Sequence, residues 1–341
     1  MKVIDRNFLP TRTHSVHASS IAFHPLTNEP VFSWFGGSRE GATDVAVYVM
    51  EGDKKFVIGD DVNLPAWNPI LVPYEDDIVI FMKLGTFCDR WQTFTCRLSE
   101  IKVPTGISYK EMNVIPAGLN GPVKSAPIFV DGDLVCGSSV ETQLDWTSYI
   151  EVYRMDGYKP AFKFRSDPLT VEKKEYERIH SFTGRPVSAR TMGVIQPTLW
   201  CRDGTITAFM RSSRGLGNIY VCHGFIEHDR AAFTQPKATA FPNPNSAVDV
   251  VYFEDEDRLF LIYNPDKELR APLVISEIKM GHPANPVYEI VDTMVIRDEV
   301  PEDEPTMTNE LSYPYAIGHE GKIHLTYTYG RSKIEYCVIE V

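Results

Sequence analysis

Short apolar segments alternate with polar turns along the whole chain. Six pairs of segments share one plan, in which an apolar strand leads through a polar turn into a second apolar strand. The pairs are 20–23 with 31–34, 68–71 with 78–81, 126–129 with 134–136, 196–199 with 206–209, 247–250 with 259–262, and 313–316 with 323–326. Asp131-Gly132, Asp203-Gly204 and Glu320-Gly321 lie in three of the turns, and such pairs favour tight hairpins.

A further alternating strand follows several of these hairpins, as at 44–48, 149–153 and 218–221. Units of three or four antiparallel strands repeated along a chain are typical of propeller blades, and radial closure protects strand edges that a single open sheet would expose. No Pro/Ser-rich linker divides the chain. The pattern therefore predicts an all-β fold, a six-bladed β-propeller in one domain over residues 1–341, with two unrelated β-sandwiches as the alternative.

Both ends of the chain have strand character. Residues 1–8 have no strand before them, and residues 333–341 have no strand after them. We predict that these two strands pair and so complete one blade.

Composition narrows the possible partners. The 341 residues include 34 Lys and Arg against 46 Asp and Glu, a net charge of −12. Nucleic acids and anionic membranes need a positive surface, so both are excluded as partners. No apolar run approaches the roughly 18 residues of a membrane span, and the first residues lack a signal-peptide core. We therefore expect a soluble, cytoplasmic protein.

The six cysteines do not indicate disulfides or a metal centre. Cys96, Cys136, Cys222 and Cys337 lie inside strand-like segments, and no CxxC pair occurs. We expect reduced, mostly buried thiols and no zinc site. Because the GxGxxG and P-loop patterns are also missing, no cofactor is predicted.

A series of motifs covers nearly the whole chain in order. They are HASS at 17–20, WFGGSREGATDV at 34–45, WNP at 67–69, GPVKSAP at 121–127, QPTLW at 196–200, MRSS at 210–213, PNPNS at 242–246, YNP at 263–265, RAPL at 270–273, LSYP at 311–314 and HLTYTYGR at 324–331. In these motifs the chain resembles the BNR/Asp-box sialidase (neuraminidase) superfamily, in its neuraminidase-like propeller branch. The resemblance implies a sialidase-like propeller that acts on acidic sugars.

Two features depart from that superfamily. The Asp-box pattern itself is absent. The Arg-Ile-Pro of authentic sialidases is replaced by Ser15-Val16-His17, and Gln196 stands where a glutamate would activate the nucleophile.

The resemblance implies binding and catalytic roles for particular residues. An arginine cluster binds the sugar carboxylate through planar, bidentate hydrogen bonds, and the candidates are Arg211, Arg270, Arg331 and Arg39. The catalytic candidates are Asp44 or Glu40 as the acid, Tyr313 as the nucleophile with Tyr329 in reserve, and Glu310 or Glu141 as the base that activates it. The alternative for Asp44 is a structural role in which it braces its loop.

Further polar residues are expected to contact the sugar. His17 takes the place of the first arginine and is a candidate for hydrogen bonding to a carboxylate or for proton abstraction in a lyase reaction. The other candidates are Lys124, Gln196, Asn245 and Asn264. The alternative for each of them is a structural role in a turn or in the core.

Three functions remain open at this point. The first is a sialidase-like exo-glycosidase acting on an acidic sugar such as sialic acid at glycan ends. The second is a polysaccharide lyase acting on uronate-containing glycans. The third is a non-catalytic carbohydrate-binding propeller that retains the anion clamp. In all three an acidic glycan is the partner.

Overall fold

Strands dominate the secondary structure. The computed structural model describes residues 1–58, 64–102, 106–142, 145–172, 192–280 and 287–341. Within these ranges there is no α-helix, and the three 3-10 helices are Cys88–Arg90, Leu98–Glu100 and Tyr109–Glu111. The predicted all-β fold class is confirmed.

The strands are, in chain order, β1 (Lys2–Phe8), β2 (Ser15–Phe23), β3 (Pro30–Gly37), β4 (Ala46–Glu51), β5 (Lys54–Ile58), β6 (Ala66–Tyr74), β7 (Asp77–Leu84), β8 (Gln92–Arg97), β9 (Asn113–Val114), β10 (Ile128–Val130), β11 (Asp133–Glu141), β12 (Asp145–Asp156), β13 (Lys159–Arg165), β14 (Met192–Arg202), β15 (Thr205–Ser212), β16 (Asn218–Glu227), β17 (Arg230–Phe233), β18 (Lys237–Pro242), β19 (Asp249–Phe253), β20 (Arg258–Tyr263), β21 (Leu273–Met280), β22 (Tyr288–Arg297), β23 (Leu311–His319), β24 (Lys322–Tyr329) and β25 (Lys333–Glu340).

Most of these strands pair antiparallel with the strands next to them in sequence. Four sheets have four strands each, in the orders β2-β3-β4-β5, β6-β7-β8-β9, β19-β20-β21-β22 and β1-β25-β24-β23. A nine-stranded sheet contains β10 to β13 and β14 to β18, and a short parallel pairing between β12 and β14 joins its two halves. Apart from that pairing, the strands within each half are antiparallel, as in the other sheets.

The hairpin turns have the geometry that their residues predict. Asp131 and Gly132, Asp203 and Gly204, and Glu320 and Gly321 all have positive φ. Two successive positive φ angles define the type I′ turn, whose twist matches that of the strands it joins.

The chain termini pair as predicted. Strand β1 runs antiparallel to β25, from Lys2 opposite Glu340 to Phe8 opposite Glu335. The last sheet therefore combines the first strand of the chain with its last three strands.

Two of the predicted strands begin later than expected. Strand β10 starts at Ile128, after Pro127, and β19 starts at Asp249 rather than at Ala247. Before β19, the Asn243 side chain accepts a hydrogen bond from the Ser246 amide and donates one to the Ser246 carbonyl oxygen. These bonds hold the chain in a turn, so the strand cannot begin there.

Apolar residues are buried mainly between consecutive sheets. One cluster joins the sheets of β2 and β6, and others join β11 with β14, β15 with β20, and β20 with β24. All six cysteines are free, and Cys96, Cys136, Cys222 and Cys337 are buried as expected. In the part of the chain that is described, no helix has the length and apolar character needed to cross a membrane.

Candidate functional site

The strands β2, β6, β14 and β23 share the same irregularity near their N-terminal ends. The register shifts between His17 and Ser20 in β2, Trp67 and Ile70 in β6, Ile195 and Thr198 in β14, and Ser312 and Tyr315 in β23. In each case two residues of the first strand oppose one residue of the second, which defines a β-bulge. Proline has no N–H to pair, so Pro69, Pro197 and Pro314 fit the unpaired positions.

The bulges force unusual backbone conformations at the candidate residues. Gln196 and Tyr313 have φ of 55° and 54°, and Asn245 and Arg331, which lie in turns, have φ of 62° and 58°. Left-handed backbone in residues other than glycine costs about 1–3 kcal/mol and concentrates at functional sites. Of these residues, Gln196 and Tyr313 contact each other, Asn245 contacts Arg211, and Arg331 contacts Glu310.

Arg211 is the centre of these contacts. The guanidinium of Arg211 donates from Nη1 to Tyr313 Oη at 2.6 Å and to Gln196 Oε1 at 3.1 Å, and from Nε to Asn245 Oδ1 at 2.9 Å. Its central carbon lies 5.1 Å from the centre of the Trp146 ring and 5.5 Å from that of Tyr313. Hydrogen bonds and two aromatic rings therefore fix the guanidinium plane.

Arg270 and Arg331 lie in the same group. Asn245 joins Arg270 to Arg211, because its backbone carbonyl oxygen accepts a hydrogen bond from Arg270 Nη2 at 2.6 Å. Glu310 lies between Arg270 and Arg331, at 3.4 Å from Arg270 Nη1 and 2.8 Å from Arg331 Nε. Burial lowers the pKa of Arg331 to about 10 and also lowers that of Arg270, where the nearby Arg211 adds to the effect.

His17 lies against the nucleophile candidate. Its ring centre is 4.1 Å from that of Tyr313, and its Nδ1 is hydrogen bonded to Thr328 Oγ1 at 2.8 Å. Burial, followed by the charges of the three arginines and Lys124, holds the pKa of His17 well below its usual value. His17 is therefore neutral near pH 7.

Glu141 approaches the group from β11. Burial raises the pKa of its carboxyl group, while Arg211 and a hydrogen bond with Gln196 oppose that rise. Gln196 Nε2 also donates to Tyr313 Oη at 3.4 Å. Gln196 thus lies between the Glu141 carboxylate and the phenol.

Glu310 does not have the position expected of a base for Tyr313. Its carboxylate accepts hydrogen bonds from Ser312 Oγ at 2.7 Å and from the two arginines, which act as its counter-ions. Tyr329 also lies elsewhere, with its ring 5.1 Å from that of Phe8 on β1. Glu310 was expected as a base from its proximity to Tyr313 in sequence, whereas its carboxylate pairs with arginines.

The loop after β3 carries the acid candidates. Asp44 is exposed, and its carboxylate accepts hydrogen bonds from the Ser38 amide and hydroxyl, both at 2.9 Å. These two hydrogen bonds hold Asp44 at the base of the loop. Glu40 forms an ion pair with Arg331, and Arg39 is exposed and has no ion pair among the described residues.

Two expected sugar contacts are buried structural residues instead. Lys124 Nζ donates to the Pro314 carbonyl oxygen at 2.6 Å and lies over the Tyr315 ring, and burial lowers its pKa to about 8. The Asn264 amide donates to the carbonyl oxygens of Pro272 at 2.8 Å and Leu311 at 2.9 Å. Both side chains therefore hold backbone segments in place.

Trp146 is a site residue that pattern reasoning did not single out. Its place opposite Glu141 in the pairing of β11 and β12 brings it beside Arg211. Within the described ranges, no three His, Cys, Asp or Glu side chains are grouped so that they could hold a metal ion.

Solved structures with similar folds are sialidases and neuraminidase-like proteins. The Trypanosoma rangeli sialidase superposes with a TM-score of 0.62 at 10% identity, over 96% of this chain and 55% of that one. This chain therefore spans about half the length of that sialidase. A subtype N10 neuraminidase-like protein of A/little yellow-shouldered bat/Guatemala/060/2010 superposes with a TM-score of 0.56 at 7% identity, over 99% of both chains. At such identities the likeness concerns the fold.

Sequence comparison gives the family. A search of curated protein sequences found no significant match. The family model described as the BNR repeat-like domain matches residues 31–325. The predicted resemblance to BNR and sialidase-like proteins is thereby confirmed, and the chain belongs to the BNR repeat-like domain family.

Proposed function

We propose that this protein is a sialidase-like exo-glycosidase that removes an acidic sugar from the ends of glycans. The observation that carries the proposal is the 2.6 Å hydrogen bond from Arg211 to the phenol of Tyr313, inside a group of three arginines. A cationic clamp beside a potential nucleophile suits a sugar that carries a carboxylate near the bond to be cleaved.

The proposed fold is a single six-bladed propeller. Support comes from the antiparallel units of successive strands, from the apolar clusters between consecutive sheets and from the pairing of β1 with β25. The bulged ends of the first strands would then meet at one end of the propeller axis. Such a site can be locally positive although the whole chain carries a charge of −12.

The arginines would bind the sugar carboxylate. Among the described residues, none accepts a hydrogen bond from Nη2 of Arg211 or of Arg331. These donors are available to a ligand, whereas the other donors of each guanidinium hold it in place. A fixed guanidinium loses little conformational entropy when it binds a carboxylate.

The catalytic step would use Tyr313, Glu141 and Asp44. Tyr313 Oη would attack the anomeric carbon, and its proton would pass to Glu141, whose carboxyl group is hydrogen bonded to Gln196. Asp44 would give its proton to the oxygen of the leaving group. Water would then release the sugar from the tyrosine in the reverse sequence of proton transfers.

A direct assay tests the proposal. Purified protein is incubated with fluorogenic sialosides and uronides, and Tyr313→Phe is measured in parallel after its fold has been checked by circular dichroism. We expect turnover of at least one acidic glycoside and a loss of roughly a hundredfold or more in the variant. Absence of turnover on every acidic glycoside by folded protein would refute the hydrolase. Absorbance of an unsaturated uronate in the same assay would identify a lyase instead.

A non-catalytic acidic-glycan binder is the second candidate. The observation in its favour is Gln196, an amide between Glu141 and Tyr313, because an amide is a poor proton acceptor. Calorimetry with sialic acid distinguishes the two functions. Binding that is retained in Tyr313→Phe, with no turnover by the wild type, supports the binder.

A further inference from the structure

Arg331 binds two carboxylates that come from opposite ends of the chain. Glu310 accepts from Arg331 Nε at 2.8 Å, and Glu40, 291 positions away in sequence, pairs with Arg331 Nη1. Arg331 itself lies in the turn between β24 and β25, and its carbonyl oxygen accepts a hydrogen bond from the Val16 amide at 2.9 Å. The backbone of Arg331 is therefore held in place, and its guanidinium lies between two carboxylates.

The two carboxylates are held very differently. The Glu310 side chain is 14% exposed and is also bound by Ser312 and Arg270. The Glu40 side chain is 49% exposed, and Arg331 is its only ion-pair or hydrogen-bond partner among the described residues. Of the two, Glu40 is the carboxylate that a ligand can displace.

The loop that carries Glu40 can move without disturbing a sheet. Its base is braced by Asp44 and Ser38, and Gly41, next to Glu40, has a φ of 82° with no heavy atom near the position of a Cβ. Releasing the ion pair would free the tip of the loop while the base stays in place. The exposed Arg39 would move with this tip.

Burial makes the exchange selective. Arg331 is 17% exposed, so breaking its ion pair with Glu40 without a replacement costs free energy and leaves Glu310 as its remaining ion-pair partner among the described residues. A ligand carboxylate can take the place of Glu40 and leave the charge balance unchanged. A neutral sugar that enters the same space breaks the ion pair and supplies no charge in return.

We infer that Glu40 is a specificity-determining residue that occupies, in the free protein, the position of the ligand's own carboxylate. The site therefore admits ligands whose acidic group can replace Glu40 on Arg331, and rejects uncharged sugars of the same shape. This inference rests on the proposed function, because it assumes that an acidic sugar enters the arginine group.

The first test follows the loop itself by hydrogen-exchange mass spectrometry of peptides that cover residues 36–46. We expect faster exchange in Glu40→Ala than in the wild type. We also expect saturating sialic acid to speed exchange of the wild-type loop, because the ligand displaces Glu40. Exchange that is unchanged in Glu40→Ala overturns the inference, as does a wild-type loop that sialic acid only protects.

The second test compares ligands by calorimetry. Sialic acid is expected to bind Glu40→Ala about fivefold more tightly than the wild type, the effect of removing a half-exposed competing ion pair. The methyl ester of sialic acid is expected not to bind the wild type. The matched control is Asp53→Asn, which removes the same charge from the exposed turn between β4 and β5 and should change the affinity less than twofold.

The outcomes separate this inference from the proposed function. Equal affinities of wild type and Glu40→Ala for sialic acid overturn the inference and leave the proposed function standing. Equally tight binding of the acid and its methyl ester by the wild type overturns the inference and also contradicts the proposed binding of the sugar carboxylate by the arginines. Failure of every variant to bind any sugar acid refutes both.

Discussion

Nη1 of Arg211 donates a 2.6 Å hydrogen bond to the phenol oxygen of Tyr313, a residue 102 positions further along the chain. Arg211 lies on β15, and Tyr313 lies on the bulged strand β23, which belongs to a different sheet. The contact therefore depends on the arrangement of sheets and not on any local motif. It links the residue that would bind the sugar carboxylate to the residue that would attack the sugar.

Replacing Arg211 by lysine should weaken the binding of acidic sugars. Lysine keeps the charge but loses the planar fork that reaches Asn245, Gln196 and Tyr313 together. We expect the affinity for sialic acid, measured by calorimetry, to fall roughly tenfold to a hundredfold, the effect of losing charged hydrogen bonds. Arg214→Lys, in which the original side chain is 84% exposed, is the matched control. Equal losses in both variants would contradict a special role for Arg211.

Exchanging a carboxylate and an amide tests which residue acts as the base. Glu141→Gln should lower kcat roughly a hundredfold or more, because the carboxylate that is hydrogen bonded to Gln196 would then no longer accept the tyrosine proton. The double variant Glu141→Gln with Gln196→Glu places the carboxylate directly beside Tyr313. We expect it to recover at least part of the lost kcat with little change in KM. A double variant as inactive as Glu141→Gln would exclude this role.

The acid limb of the pH profile, in which kcat falls at low pH, should depend on the same residue, Glu141. A base must be ionised to accept a proton, and burial raises the pKa of Glu141. The kcat should therefore fall as the pH is lowered through this raised value, at a higher pH than an ordinary glutamate would give. In the double variant this limb should shift, because a different carboxylate then accepts the proton. A pH profile of kcat that is identical in the two proteins would show that the limb belongs to another group.

His324 should make the fold less stable in mild acid. Burial, with a contribution from His319 and Lys322, lowers the pKa of His324 from 6.5 to about 4. Between these values the unfolded chain binds a proton that the folded chain refuses, so stability is lost as the pH falls through that window. The slope is at most about 1.4 kcal/mol per pH unit for one group.

Urea unfolding between pH 7 and pH 4.5 measures this loss. We expect His324→Gln to show a flatter decline in unfolding free energy than the wild type. His17, whose pKa is also lowered by burial, continues to contribute in the variant. His14→Gln, at an exposed position, should leave the decline unchanged. Parallel curves for wild type and His324→Gln would contradict the prediction.

Alternation and turn residues were enough to predict the strands. Asp131-Gly132 and its equivalents fix hairpin geometry locally, and the apolar periodicity requires each strand to bury one face. The late starts of β10 and β19 escaped prediction, because one depends on a proline and the other on a side-chain turn at Asn243. Local pattern therefore predicted the elements better than their ends.

The family motifs gave candidate residues for the site, whereas the contacts between these residues came only with the fold. Family motifs led to Arg211, Arg270, Arg331 and Tyr313, and these side chains are connected through shared partners. The ion pairs of Glu310 with Arg270 and Arg331 were not predicted, because proximity in sequence does not tell which side chains a carboxylate will contact. A residue followed by proline within an apolar strand, as in Gln196-Pro197 and Tyr313-Pro314, was the available signal for the bulges.

Glu335 should be important for the stability of the last sheet. It is only 1% exposed on β25, and its carboxylate is bound by Arg297 of β22 at 2.5 Å, lies 3.8 Å from Arg6 of β1 and accepts the Tyr327 hydroxyl. This one side chain thus ties the first strand of the chain and the neighbouring sheet to β25. Glu335→Gln leaves Arg297 without its buried counter-ion.

We expect Glu335→Gln to lower the free energy of unfolding by about 3 kcal/mol, a typical cost of breaking a buried ion pair from one side. Urea unfolding at pH 7 gives the value. Glu340→Gln, an exposed carboxylate on the same strand, should change it by less than about 0.5 kcal/mol. Because this carboxylate also pairs with Arg6 on β1, exchange of the β1 amides should accelerate in Glu335→Gln before global unfolding. A variant with wild-type stability would mean that Arg297 and Arg6 find solvent or other acceptors at no cost, and that the terminal strands are held by their backbone hydrogen bonds alone.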